Sequence, residues 1–224
     1  MKKYSVASLV VAMQPKEKTL SIQSRPYELK TERKADIIIS VSSDSIREIS
    51  DDSNEYIYTG AEFYRKLLDF GGMVLHASAV VLDGRAYLFS AKSGVGKSTH
   101  TSLWLEYFGK RAYILNDDKP ALRLINNRFM VCGTPWSGKT NNSRNEIVPL
   151  GAIAFIKPGI KNVIRRLCAE EALPLMLSNT LRPSDKAVML MTLLDRLLYC
   201  TPIYKLHCDM SMEAVECSYN GMKG

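Results

Sequence analysis

The sequence predicts an α/β protein built on a mixed β-sheet, with a small β-rich lobe at the N-terminal end and helices toward the C-terminal end. Three observations predict it. From about residue 60 onward, short apolar runs bounded by turn residues alternate with stretches of helical periodicity. The dipeptide Asp83-Gly84 separates the apolar runs 73–82 and 85–90, a hairpin signal that sets two neighbouring strands antiparallel. A glycine-punctuated loop then joins the second of these strands to a helical pattern.

That loop reads Ala91-Lys92-Ser93-Gly94-Val95-Gly96-Lys97-Ser98-Thr99. It follows the phosphate-cradling pattern G-x-x-x-x-G-K-[ST], with Ala91 in place of the first glycine. Gly94 and Gly96 let backbone N–H groups turn inward and approach phosphate oxygens without a Cβ in the way. Lys97 is a point charge able to reach β- and γ-phosphates, and the Ser98 hydroxyl can ligate Mg²⁺. Thr99 is expected to begin a helix whose positive end favours an anion. Upstream, 85–90 suits a buried strand; downstream, Leu103, Trp104, Tyr107 and Phe108 recur at helical spacing until Gly109. Residues Ser93 to Thr99 are therefore the expected nucleotide-phosphate ligands.

The bulk numbers narrow the classes. A length of 224 residues fits one domain with a small appended lobe, drawn as a β-rich lobe at 1–60 and a phosphate-loop domain at 61–224. The net charge of +7 is spread along the chain, with a modest cluster at Lys161, Arg165 and Arg166. Without aromatic–basic alternation it reads as a solvated surface and not as a nucleic-acid interface. Five cysteines, odd in number and without C-x-x-C spacing, read as reduced and mostly buried thiols of a cytoplasmic protein. The opening Met1-Lys2-Lys3 and the apolar run after it read as a first strand and not a signal peptide. No stretch is long enough to span a membrane.

Taken in order, 4–13, 18–23 and 35–41 are expected as strands, with Pro15 and Pro26 at turns and 42–54 a polar, acidic surface loop. A helix is expected over 62–70, stopped by Gly71-Gly72. After the loop helix, 111–116 is a buried strand ending in Asp117-Asp118. Carboxylates at a strand tip beside a phosphate loop are placed to hold Mg²⁺, and two of them allow one to serve a substrate proton. Runs 121–125 and 128–132 form a second hairpin across Asn126-Asn127. The donor-rich stretch 133–145 is expected either to close over a ligand, with Lys139 or Arg144 supplying charge, or to be a long connection with Trp136 in the core. Beyond it come a strand at 151–157, helices at 170–177, 184–199 (capped by Ser184) and 212–219, and a strand at 203–208.

His76 sits on the apolar run whose hairpin partner feeds the loop. The order His76, hairpin, Ser93-Gly94-Val95-Gly96-Lys97-Ser98 and Asp117-Asp118 resembles the catalytic domain of HPr kinase/phosphorylase. The resemblance implies a fold shared with phosphoenolpyruvate carboxykinase. It also implies ATP- and Mg²⁺-dependent phosphoryl transfer to a serine hydroxyl. Catalytic roles then fall to Asp117, Asp118, His76 and Lys97, and metal roles to Ser98, Asp117 and Asp118. The family's glycine-rich signature is absent, and Gly133-Thr134-Pro135-Trp136-Ser137-Gly138-Lys139 stands in its place. In this the chain looks like related kinases of ribosomal peptide-modification systems, which implies a peptide or small-protein acceptor, with homo-oligomerisation open. A small-metabolite kinase, a carboxykinase-type enzyme and a non-catalytic nucleotide-binding module are the alternatives. His100 and His207 are expected to be surface or packing residues.

Overall fold

The computed structural model describes residues 1–40, 53–92 and 94–223, the side chains of 53 and 54 excepted. Most of the acidic stretch expected as a loop, 42–52, and Ser93 of the expected phosphate ligands lie outside the described residues.

The N-terminal sheet joins β1 (Lys2–Val6), β2 (Leu9–Met13) and β3 (Ile37–Ile38) in that order, β1–β2 antiparallel and β2–β3 parallel. The run expected as one strand is thus a hairpin, turned at Ala7 (φ 52°) and Ser8 (φ 63°). The strand expected at 18–23 is helix α1 (Lys18–Ser24). The N–H groups of Lys16 and Glu17 just before α1 donate to the Glu55 carboxylate, at 2.8 and 2.7 Å. That buried acceptor sits on α2 (Ser53–Leu67), a helix that begins well before the expected residue 62 and runs through residue 60. Tyr4, Val11, Leu20 and Ile37 of the small sheet and α1 share one apolar core with Phe63, Tyr64, Leu67, Val74 and Trp136.

The main sheet has the order β4-β8-β9-β10-β6-β5-β7, with β12 paired to β10 and β11 to β12. Its strands are β4 (Gly72–Val74), β5 (Ser78–Leu82), β6 (Arg85–Ser90), β7 (Ala112–Asn116), β8 (Ala121–Ile125), β9 (Arg128–Cys132), β10 (Ile147–Pro158), β11 (Val163–Arg166) and β12 (Ile203–Cys208). The expected mixed sheet is present: β6, β10 and β12 run parallel, and β5 is antiparallel to both β6 and β7. The tight turns fall where expected, at Asp83-Gly84 (φ 49° and 78°) and Asn126-Asn127 (φ 49° and 60°). β11 is a strand not expected from the sequence; its Arg165 pairs with Glu171, so part of the basic cluster is a local ion pair.

Side chains alternate across this sheet with the period of two that a strand imposes. Ala79, Val81, Leu88, Ile153 and Phe155 face a layer formed by α4 (Ala169–Ser178) and α5 (Ala187–Cys200). Val80, Leu82, Phe89, Ala154 and Ile156 face α3 (Lys97–Phe108) and α6 (Met212–Met222). Burial on both faces explains why these strands read as continuous apolar runs. Ser184 is not the cap expected: a 3-10 turn, Ser184–Lys186, precedes α5, and Lys186 stands at the cap position. The five cysteines are all unpaired, with Cys132 and Cys208 buried but Cys168 and Cys200 exposed, against the expectation of mostly buried thiols. No helix among the described residues is long and apolar enough to cross a membrane.

Candidate active site

β6 ends at Ser90, and the chain turns through Gly94 (φ 81°) and Gly96 (φ 99°) into α3. Both angles lie in the left-handed region, which glycine reaches without steric cost. The helix starts at Lys97 and not Thr99, so Gly96 caps it and Lys97, Ser98 and Thr99 form its first turn. Its unpaired N–H groups and positive dipole end therefore open directly at the loop. Ala91 is 4 % exposed and belongs to the core cluster beneath the loop. Val95 packs against that same cluster and lies away from the phosphate side.

Opposite the loop, the strand expected at 73–82 breaks at Leu75-His76-Ala77. β4 pairs with β8, whereas β5 pairs with β6 and β7, so the chain changes partners between them. In the break, His76 N–H donates to Asn179 O (2.8 Å) and Ala77 N–H to Asp118 O (3.1 Å). His76 thus sits in a crossing segment and not on a strand, and is brought beside the acidic pair.

The acidic pair is held by Asn116, the fully buried last residue of β7. Its Oδ1 accepts from the N–H groups of Asp118 (3.0 Å) and Lys119 (2.8 Å), and its Nδ2 donates to Thr134 O (3.0 Å). This side-chain-closed turn sends the two carboxylates different ways. Asp117 is 9 % exposed and accepts from Ser78 Oγ at 2.7 Å; Ser78 contacts Thr101 of α3 at 3.1 Å. Asp117 is thereby tied to the first turns of the helix that carries Ser98. Asp118 Oδ1 lies 3.1 Å from His76 Nε2 and 4.0 Å from Lys97 Nζ, and its Oδ2 pairs with Lys119.

Burial opposes ionisation of Asp118, but hydrogen bonds from His76 and Lys119, with their charge, outweigh it and hold the carboxyl at about 2. Burial lowers the pKa of Lys97, and Asp118 and Asp117 offset only part of that. The ammonium also meets His76 Nε2 at 2.9 Å.

These groups converge on a cavity of about 530 Å³. Lys92, Gly94, Gly96, Lys97, Ser98 and Thr99 line one side, and His76, Asp117 and Asp118 the other. Ser137, Gly138, Lys139 and Thr140 form a third wall, pinned by Gly138 N–H to Tyr56 Oη (2.7 Å) and Gln23 Nε2 to Gly138 O (2.8 Å). Lys139 is where charge was expected. Arg144 is not: it lies outside the cavity, 4.1 Å over the Tyr113 ring and 3.9 Å from Glu146. Trp136 is fully buried and stacks on Phe63 at 4.8 Å, the core alternative for that residue. His100 is a buried packing residue, its Nε2 3.1 Å from Ser218 Oγ, and His207 lies half-buried on β12.

Three groups went unassigned in the sequence. Ser78 and Thr101 brace Asp117, and Ser137, 1 % exposed, belongs to the cavity wall with its Oγ buried and without a hydrogen-bond partner among the described residues. A buried, unpaired hydroxyl costs free energy. Ser98 Oγ and the two carboxylates together offer a metal an all-oxygen set. It suits Mg²⁺, which takes one or two carboxylates and completes its shell with water and phosphate. Among the described residues no group of three or more His, Cys, Asp and Glu is clustered to hold a metal by itself.

No protein-family model and no curated protein matches the chain. Among solved structures it is similar to the HPr(Ser) kinase/phosphatase from Coxiella burnetii. The TM-score is 0.39 and the identity 11 %, with 67 % of this chain and 99 % of that one covered. This is a distant likeness of fold.

Proposed function

We propose that the chain is an ATP- and Mg²⁺-dependent kinase that transfers the γ-phosphoryl group to a hydroxyl, that of a serine in a peptide or small protein. The observation that carries this is the meeting of Lys97, His76 and Asp118 within 4.0 Å across a cavity walled by the phosphate loop. The order of these residues in the sequence, resembling HPr kinase/phosphorylase, supports the same reading.

In this reading the N–H groups at the start of α3, with Lys97, hold the β- and γ-phosphates. Ser98 and Asp117 would hold Mg²⁺, which when bound neutralises charge on the phosphoryl oxygens. Asp117 suits that role because Ser78 and Thr101 fix it against the helix of Ser98. Asp118 faces the acceptor. The hydroxyl oxygen bonds to phosphorus, the bond to the ADP oxygen breaks, and the hydroxyl proton passes to Asp118. A carboxyl held near 2 is a weak base. Its service is chiefly to orient the hydroxyl and accept the proton as the new P–O bond forms, as a loose transition state allows. His76 orients Asp118, and Lys139 supplies charge from the third wall. Such catalysis is mostly positioning and charge stabilisation.

The test is incubation with γ-labelled ATP, Mg²⁺ and serine peptides, comparing wild type with Lys97→Ala and Asp117→Asn. Label transferred by the wild type alone supports the reading; equal transfer by all three proteins ends it.

A further inference from the structure

A second cavity, of about 310 Å³, adjoins the first at His76, which lines both. None of the described residues of the phosphate loop lines it. Its apolar walls are Tyr56, Ala61 and Tyr64 of α2, together with Val74, Trp136 and Leu181; His76 and Lys119 bring charge-bearing groups to it, and Ser178, Asn179 and Thr180 add neutral polar ones. It is preformed. The segment that carries Leu181 is fastened to the end of β4 and the crossing segment after it by His76 N–H to Asn179 O (2.8 Å) and Thr180 Oγ1 to Val74 O (2.5 Å). Tyr64 is fixed by its hydroxyl, which donates to Lys119 O and meets Thr134 Oγ1 at 3.0 Å.

We infer that this cavity is an acceptor subsite, taking an aromatic or large aliphatic side chain that neighbours the phosphorylated serine. The inference rests on the kinase reading above and names its substrate class. Asp118 lines the phosphate cavity but not this one, so the reacting hydroxyl must lie on the phosphate side of His76. An apolar group in the second cavity then belongs to a different side chain from the hydroxyl, as two adjacent residues of a peptide provide. Lys119 points its ammonium at Asp118 and over the Tyr56 ring at 5.4 Å. It therefore disfavours a cationic neighbour, and no carboxylate among the described residues lines the cavity to accept one. The volume is ample for one large side chain.

The experiment is titration of the wild-type chain, with Mg²⁺ and a non-hydrolysable ATP analogue, by pentapeptides carrying one serine flanked by Phe, Ala or Lys. Tyrosine amide serves as a phenol control, and binding is read by calorimetry or NMR. Burial of a phenylalanine side chain predicts that Phe peptides bind about tenfold or more tightly than Ala peptides, with Lys peptides weakest. Ala61→Phe, which fills the cavity, and Leu181→Ala, which removes part of its wall, should each erase or reduce that preference, folding being checked by the thermal transition. Equal binding of all peptides, a preference retained in Ala61→Phe, or tightest binding of tyrosine amide would overturn the inference. ATP affinity of the wild type separates the two readings. Its absence ends the kinase reading, whereas ATP binding without side-chain preference ends only this one.

Discussion

The ammonium of Lys97 and Nε2 of His76 lie 2.9 Å apart, and the same ring nitrogen stands 3.1 Å from Asp118 Oδ1. A single imidazole nitrogen either accepts or donates. The two contacts therefore alternate with the tautomer: as acceptor Nε2 takes the Lys97 ammonium, and as donor it makes the bond to Asp118 that holds the carboxyl low. Phosphate bound at the loop would draw Lys97 away and leave Nε2 free to carry a proton toward the carboxylate. His76→Ala should therefore lower the transfer rate by about 100-fold while changing ATP affinity little. Single-turnover transfer and calorimetry on the same variant check this. A variant that loses ATP affinity and keeps its rate would show that His76 serves binding and not transfer.

Ser137 gives a test of the cavity as a ligand site. Its hydroxyl is buried and unpartnered, so Ser137→Ala should leave the thermal stability of the free protein unchanged or slightly raised. With ATP and Mg²⁺ the same variant should bind about tenfold more weakly, the loss of one hydrogen bond to a charged group. Thermal melts with and without ligand measure both. An unchanged ligand-induced shift would place Ser137 outside the binding machinery.

His100 gives a pH dependence. Burial lowers its pKa from 6.5 to about 4. The folded state therefore resists protonation that the unfolded state accepts. The resulting stability is fully present above pH 6.5 and is lost as pH falls through about 4, amounting to about 3 kcal/mol. Urea unfolding at pH 7 and pH 4 should show the wild type losing roughly that much more than His100→Gln. Parallel losses in both proteins would contradict it.

Gly138 tests the third wall. Its φ is +75°, and a Cβ there would stand 3.0 Å from Asp118 Cβ. Gly138→Ala should cost about 1–2 kcal/mol of stability from the left-handed backbone. By pressing on Asp118 it should also reduce transfer more than ATP affinity. Chemical unfolding and transfer assays check the two parts separately.

How much of this was legible in the sequence follows from how local each cause is. The turns at Asp83-Gly84 and Asn126-Asn127, the loop glycines and the acidic strand tip carry their reasons within a few residues. Each is found where the sequence placed it. The turn at Ala7-Ser8 has no glycine, asparagine or aspartate to announce it, so β1 and β2 read as one strand. α1 was hidden because its N-terminal acceptor is Glu55, 38 residues from Glu17. The first half of α2 carries Gly60, a poor helix former, which is packed against the Trp136 ring. In the site, Lys97, Asp117 and Asp118 were readable from type and spacing. The setting of His76 in a strand break, the brace by Ser78 and Thr101, and the exit of Arg144 to Tyr113 depend on long-range pairing, which no local pattern encodes.

The central claim is that the loop from Gly94 to Thr99 grips a triphosphate with Lys97 as its charge. Calorimetric titration of wild type and Lys97→Ala with ATP and Mg²⁺ tests it most directly. The account predicts one site on the wild type and about 10- to 100-fold weaker binding by the variant, the worth of a charge-assisted contact. Equal affinities, or no binding by the wild type, would contradict it.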